Sequence, residues 1–457
     1  MTTTHWRNAV TGDFAKAGKW NDGKPAIKDD AIIATTGADY MVKVISADAA
    51  HTLTLDSVNA TLLEKAQGSL HVGTLNIEAG TAVLTTANTI GSIVMTGGEL
   101  EFSTGAALGD ATISLAKQAI LAATASAEVS NNITLVYPQA SFAVHNGSTL
   151  TLDGSLSFDT LNAETLNFVG INANGKGDGT GVVDLDSTIG AMSAHNSLVI
   201  KGVTLGTSIA DNSGFDSFLS QMQSFQIETN GRLDLTHQNN VTLENFDGVG
   251  ALVNTGPHED ITLNDPAFGG NITGDFDLSM DGGEVGGTMT LQPGDAIHVI
   301  DSGVILSHFD GDAPAIDLED AGTFSGGNLR LTGLSYSGTA PTVDMGTGQN
   351  NSLTIDHTFT GIISNFGGHN GGTDHIFFDD LSGATSSTIT FQYVPNESGT
   401  GGQLTVTYGG LPAFTLNLEG SYTQGDFTEG TDRNYEINCS AEQSSPHVPA
   451  HAVDALI

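Results

Sequence analysis

Short runs in which every second residue is apolar, closed by Gly, Asn or Asp, recur along most of the chain. Ser69-Leu70-His71-Val72, Thr74-Leu75-Asn76-Ile77, Glu99-Leu100-Glu101-Phe102, Thr149-Leu150-Thr151-Leu152 and Ser155-Leu156-Ser157-Phe158 show the pattern. A period of two puts one face of each run inward and the other on solvent, which is the signature of a half-buried β-strand. The runs are too short for most helices, and the residues that close them are turn formers. Two segments depart from the pattern. Residues 106–129 are alanine-rich, and residues 216–227, with Phe218, Leu219, Met222 and Phe225, have the spacing of a helical turn or two.

Strand and turn alternate from about Leu53 to about Asp356 without a compositional break, although the repeat has no fixed length. A solenoid needs only that each coil bury its inward residues on its neighbours, whereas a sandwich needs distinct sheets to pair over long range. The expected fold is therefore all-β: a right-handed parallel β-helix, or solenoid, with Leu, Ile, Val, Phe and Ala inward. Tandem antiparallel β-sandwiches are the competing architecture.

The ends read differently from the middle. Both tryptophans, Trp6 and Trp20, fall in residues 1–48 among turn formers, ahead of the apolar Ala31-Ile32-Ile33. A terminal coil would otherwise show its apolar cross-section to water, so residues 1–48 are expected to be an N-terminal cap. Residues 49–360 are the solenoid. From Gly361 the strands lengthen and aromatics concentrate, which predicts a C-terminal β module over 361–438 followed by a tail, 439–457.

Charge narrows the range of partners. The chain has 457 residues, with 13 Lys+Arg against 52 Asp+Glu and a formal net charge of -39. Nucleic-acid affinity and attraction to anionic lipid both rest on basic residues, so neither partner is expected. Cys439 is the single cysteine, which excludes an intramolecular disulfide. No stretch has the length of a membrane-spanning helix, so membrane insertion is not expected.

Two stretches carry a resemblance. Gly399-Thr400-Gly401-Gly402-Gln403-Leu404-Thr405-Val406-Thr407 is followed by Ala413-Phe414-Thr415-Leu416-Asn417-Leu418-Glu419-Gly420-Ser421-Tyr422 and Phe427. This resembles the C-terminal module of large, acidic, type I-secreted surface proteins of Gram-negative bacteria, the group that includes RTX adhesins. The N-terminal Trp20, Gly23, Pro25, Ala31-Ile32-Ile33, Tyr40, Val44 and Leu53-Thr54-Leu55 resemble the opening of β-strand-repeat proteins in that group. The resemblance implies an extracellular, adhesive or structural β-solenoid. The tandem G-G-x-G-x-D-x-U-x nonapeptide is absent; its nearest approach, Gly371-Gly372-Thr373-Asp374-His375-Ile376, occurs once.

Carboxylates cluster at Asp310, Asp312, Asp317, Glu319 and Asp320, at Asp374, Asp379 and Asp380, and at Asp275, Asp277, Asp281 and Glu284. Ca²⁺ takes six to eight oxygens and gains from several carboxylates at one turn. Asp310, Asp312, Asp317, Asp320, Asp374, Asp379 and Asp380 are taken as the candidate Ca²⁺ ligands. Asp and Gly also favour turns for purely conformational reasons. His369 and His375, flanking Asp374, match no transition-metal motif. Arg232, near Asp234 and His237, is the one basic and acidic grouping in the solenoid with the composition of a catalytic site, and a surface charge pair is its ordinary meaning.

These readings converge on a non-enzymatic, secreted protein of the bacterial cell surface, acting as an adhesin or an S-layer-like structural element. It is expected to be stabilised by Ca²⁺, with itself or a cell-surface glycan as partner. The alternative is a polysaccharide-degrading or polysaccharide-binding β-helix of the lyase, hydrolase or phage tail-spike type. The opening Met1-Thr2-Thr3-Thr4-His5-Trp6 has neither a basic nor an apolar signal region, and the final Asp454-Ala455-Leu456-Ile457 is similar to the C-terminal signals of type I export. Export by that route is the corresponding expectation.

Overall fold

The computed structural model describes residues 2–136, 139–158, 165–172, 177–190, 196–210, 212–238, 240–300, 304–309, 311, 314–318, 328–331, 333–336, 338–346, 350–367, 373–379, 381, 389–408, 413–430, 436–439 and 441. The protein is a parallel β-solenoid of about 14 turns. Its chain divides into two compact units, residues 1–238 with 250–253, and residues 239–249 with 254–457.

In the first unit the alternating pattern becomes ladders of like residues. Ala31 pairs with Leu53, Leu53 with Leu75, Leu75 with Ile93, Ile93 with Ile113, Ile113 with Ile133 and Ile133 with Leu156, all in parallel register. Every one of these side chains is buried. A second ladder runs Leu62, Ala82, Leu100, Leu121, Phe142 and Phe168, and its last two rings stack at 5.6 Å. Burying one such side chain is worth about 1.5–3 kcal/mol, so the ladder is the dominant favourable term and the hydrogen bonds fix its register. Coil length varies: Leu53 to Leu75 is 22 positions, Leu75 to Ile93 is 18. That is why the sequence shows a rhythm without a consensus.

The departures from the pattern resolve in two ways. Residues 106–129 hold a 3₁₀ turn, Gly105–Leu108, and the strands Thr112–Ala116, Ala119–Ala123 and Ala127–Val129. Their alanines fill coils as small core residues, with Ala119, Ala122 and Ala123 fully buried. The expected helix is present only as Ser213–Ser220, capped by Asn212 Oδ1 accepting from the Gly214 and Phe215 amides. Met222 and Phe225 lie instead in the strand Met222–Ile227, which continues the stack on Asn196–Lys201. The helical spacing across 216–227 is a junction of two elements.

The first coil is closed by aromatics. Trp20 packs edge-on against Trp6 at 5.2 Å and against Phe14 at 5.0 Å, and its indole Nε1 donates to the Phe14 carbonyl at 2.8 Å. In the second unit one sheet runs Val241–Glu244, Glu259–Asn264, Phe276–Asp281, Ala296–Val299, Ala315–Leu318, Thr342–Asp344, Ile362–Ser364 and Phe414–Glu419 in parallel. It then reverses: Gly401–Tyr408 pairs antiparallel with Phe414–Glu419, and Ile389–Pro395 antiparallel with Gly401–Tyr408.

Candidate functional site: a histidine and carboxylate corner

Three successive corners of the second unit converge on His258. Asn254 shapes the first: its Oδ1 accepts from the Gly256 amide at 2.7 Å, and its Nδ2 donates to the Pro257 carbonyl at 2.6 Å and to the Asp275 carbonyl at 2.9 Å. The next coil must pass against this turn. A Cβ at Gly274 would stand 2.2 Å from the Asn254 carbonyl oxygen, so only glycine fits there. Asp295 forms the third corner, its Oδ2 accepting from the Gln292 amide at 2.7 Å and the Phe276 amide at 3.1 Å.

The imidazole of His258 sits between the acids. Nδ1 stands 2.5 Å from Asp275 Oδ1 and 3.5 Å from Asp295 Oδ1, and Nε2 stands 3.2 Å from Asp277 Oδ2. Asp277 Oδ1 also accepts from the Ala296 amide at 2.8 Å, tying the corner to the following coil. Desolvation by itself would lower the imidazole pKa, but the Asp275 hydrogen bond and the Asp277 charge outweigh it, and the pKa is raised. Burial pushes the Asp295 carboxyl up, against its two backbone hydrogen bonds. The corner thus holds an imidazole in a nest of carboxylates that favour its protonated form.

His258, Asp275 and Asp295 bring one donor atom each within 4.8 Å of one another, and so do His258, Asp260 and Asp277. An imidazole nitrogen beside carboxylate oxygens is the donor set of Zn²⁺ or Mn²⁺, whereas Ca²⁺ prefers oxygens alone. The carboxylates of Asp275, Asp277 and Asp295 are the oxygens this corner would offer Ca²⁺.

Only part of the predicted ligand set lies among the described residues. Asp310, Asp312, Asp320 and Asp380 lie outside them, as do Glu319 and His369; Asp317 is in the strand Ala315–Leu318, but its side chain is outside the description. Asp374 and Asp379 are described, and they are not brought together. Asp374 is fully buried, in phase with Ile376 and Phe378 on the core side of the strand Asp374–Phe378, while Asp379 is exposed and paired with Arg330. Asp374 Oδ1 accepts from the Asn351 amide and Oδ2 from the Gly367 amide, both at 3.0 Å, and burial pushes its pKa to about 8. His375 Nδ1 stands 2.5 Å from Glu436 Oε1 and 2.7 Å from Asn438 Oδ1. Of the other acidic grouping, Asp275 and Asp277 enter the His258 corner; Asp281 ends its strand and Glu284 begins the strand Glu284–Leu291.

Arg232 and Asp234 form a 2.7 Å ion pair two residues apart in one strand, and Asp234 Oδ1 also accepts from the Thr236 amide and hydroxyl. The geometry is that of a local surface pair. Comparison with known proteins gives no matching family model, no matching curated protein and no matching solved structure. The class that the fold defines is the β-helix repeat proteins.

Proposed function

We propose that this protein is an extracellular structural or adhesive β-solenoid of a bacterial surface, self-associating and stabilised by bound cations. The observation that carries the reading is the stack itself: coil after coil repeats one inward apolar ladder, and the outward positions of the same strands carry mostly small or polar side chains such as Thr52, Thr54, Asn59, Ser69, Thr74 and Asn76, with Asp56 and Glu78 among them. Stacked coils of this kind present a regular outward surface. A net charge of -39 makes both folding and contact between copies repulsive until cations neutralise it. The His258 corner, where Asp260, Asp275, Asp277 and Asp295 gather around one imidazole, is a candidate place for a divalent ion to relieve that repulsion.

Thermal melts in chelator, in millimolar-range Ca²⁺ and in Na⁺ of matched ionic strength test the cation dependence. Binding to the folded state alone stabilises by about 2.7 kcal/mol at a ligand concentration one hundred times the dissociation constant. The melting temperature is expected to rise in Ca²⁺ well beyond its shift in Na⁺. Equal shifts in the two salts would mean screening and would contradict bound ions.

A further inference from the structure

Three neighbouring strands near the C-terminal end build a groove on the outer face of the sheet. The strand Ser352–Ile355 pairs in parallel with Asn328–Leu331 on one side and with Asp374–Phe378 on the other. Its outward residues are short, Ser352 and Thr354, and they make a floor. Those of its neighbours are long. Asn328 and Arg330 rise on one side, Phe377 and Asp379 on the other, and the space between holds about 450 Å³. Walls two strand spacings apart stand roughly 9.5 Å from backbone to backbone. The inward residues Leu329, Leu353 and Ile376 are fully buried, so the floor is fixed by the core beneath it. Phe377 is half-buried, with its ring stacked on His375 at 6.0 Å and 18°, and His375 is tied in turn to Glu436 and Asn438. The Arg330 guanidinium pairs with the Asp379 carboxylate across the floor strand.

We infer that this groove binds a neutral hexopyranose glycan. The volume lies within the range of small-molecule sites. A half-exposed phenyl ring offers an apolar face on which the C–H face of a pyranose stacks. The Arg330 and Asp379 pair, the Asn328 amide and the Ser352 and Thr354 hydroxyls supply donors and acceptors together, which is what vicinal hydroxyls require of a partner. Charge selects against an acidic glycan: the guanidinium already faces a carboxylate, and the whole molecule carries -39. The inference rests on the adhesive arm of the proposed function and gives it a place and a ligand class.

The test is titration of the full chain against neutral hexasaccharides of β-glucan, mannan and galactan, with oligogalacturonate as the acidic arm. At least one neutral probe is expected to bind, and oligogalacturonate to bind more weakly. Thr354→Trp, which fills the floor without removing any wall, and Phe377→Ala are each expected to lower affinity at least tenfold with the far-ultraviolet spectrum unchanged. Absence of binding to every neutral probe, preference for oligogalacturonate, or undiminished binding by a folded Thr354→Trp chain would overturn the inference. Sedimentation of the same variant in Ca²⁺ separates the two ideas. Lost glycan binding with self-association retained supports the groove, whereas a parent chain that neither binds nor associates removes the adhesive reading with it.

Discussion

The two ends of the protein solve one problem by different chemistry. A terminal coil exposes an apolar cross-section and a row of unpaired backbone groups, and both invite association with another chain. At the N-terminal end the cross-section is plugged by Trp6, Phe14 and Trp20, and a loop covers the edge of the strand Thr3–His5. The Asn21 amide donates to the His5 carbonyl at 3.0 Å, the His5 amide to Asn21 Oδ1 at 2.7 Å, and the Arg7 amide to the Lys19 carbonyl at 2.9 Å. At the C-terminal end the chain reverses direction. Glu436–Cys439 lies antiparallel on Asp374–Phe378, Phe427–Glu429 lies antiparallel on Glu436–Cys439, and the other sheet ends in the antiparallel strand Ile389–Pro395. Even that last edge is occupied: Gln424 Oε1 accepts from the Tyr393 amide at 2.7 Å while its Nε2 donates to the Phe391 carbonyl at 3.0 Å. One side chain stands in for a strand. Where these side chains and loops hold the described edges, strand addition is opposed there, and association between copies is expected through outward faces.

The largest effect should come from the N-terminal plug. Trp20→Ala removes a fully buried ring that touches two others, at a cost of about 3–5 kcal/mol. At the other end Phe427 packs against Tyr393 at 5.4 Å and Tyr422 at 5.6 Å, but it keeps 6% exposure and backbone pairing supports its strand. Phe427→Ala should therefore cost less, near 3 kcal/mol. Urea midpoints of the two variants compare the ends directly. A smaller loss for Trp20→Ala than for Phe427→Ala would reverse the account of which end depends on an aromatic plug.

Asp374 makes the C-terminal end sensitive to pH. Its carboxyl holds a proton up to about 8 in the folded chain and about 3.9 when unfolded. Its stabilising contribution is therefore complete below about pH 4 and is lost as pH rises through 8. Asp374→Asn fixes the group as neutral but turns an amide N–H₂ toward one of the two backbone donors, a loss of about 1–3 kcal/mol. The parent should lose stability steadily relative to the variant from pH 5 upward and should be the weaker of the two by pH 9. Parallel stability profiles for the two chains would show that Asp374 does not titrate in this range.

The His258 corner belongs to neither end and supplies a control of smaller size. In chelator, its raised imidazole pKa contributes stability that is complete below about pH 6.5 and fades as pH climbs through the folded value. The imidazole is 41% exposed, so solvent screening limits the effect to below about 1 kcal/mol. His258→Gln, made in the Asp374→Asn background so that the larger titration is absent, should reduce the difference in melting temperature between pH 5.5 and 8.5. An unchanged difference would remove His258 as a contributor.

Much of the fold is legible in the amino-acid pattern. Alternation such as Ser155-Leu156-Ser157-Phe158 specifies both strand and inward face. The corner is not legible, for a reason of register. His258, Asp275 and Asp295 are 17 and 20 positions apart, and they meet because the coils there have nearly those lengths: Leu263 to Met280 is 17 and Met280 to Val299 is 19. Grouping acids by nearness in sequence instead joins Asp275 and Asp277 to Asp281 and Glu284, which the strand carries elsewhere. Asp374 carries a usable signal that turn chemistry masks. It is in phase with Ile376 and Phe378, and that phase alone places it inside.

Sedimentation velocity in chelator and then in millimolar-range Ca²⁺ tests the central claim most directly, because like charge holds copies apart until a divalent ion bridges or neutralises them. The account predicts a monomer in chelator and larger species in Ca²⁺, with the same shift in a Gln424→Glu chain, since lateral contacts do not use that edge. An unchanged monomer in both conditions would contradict self-association.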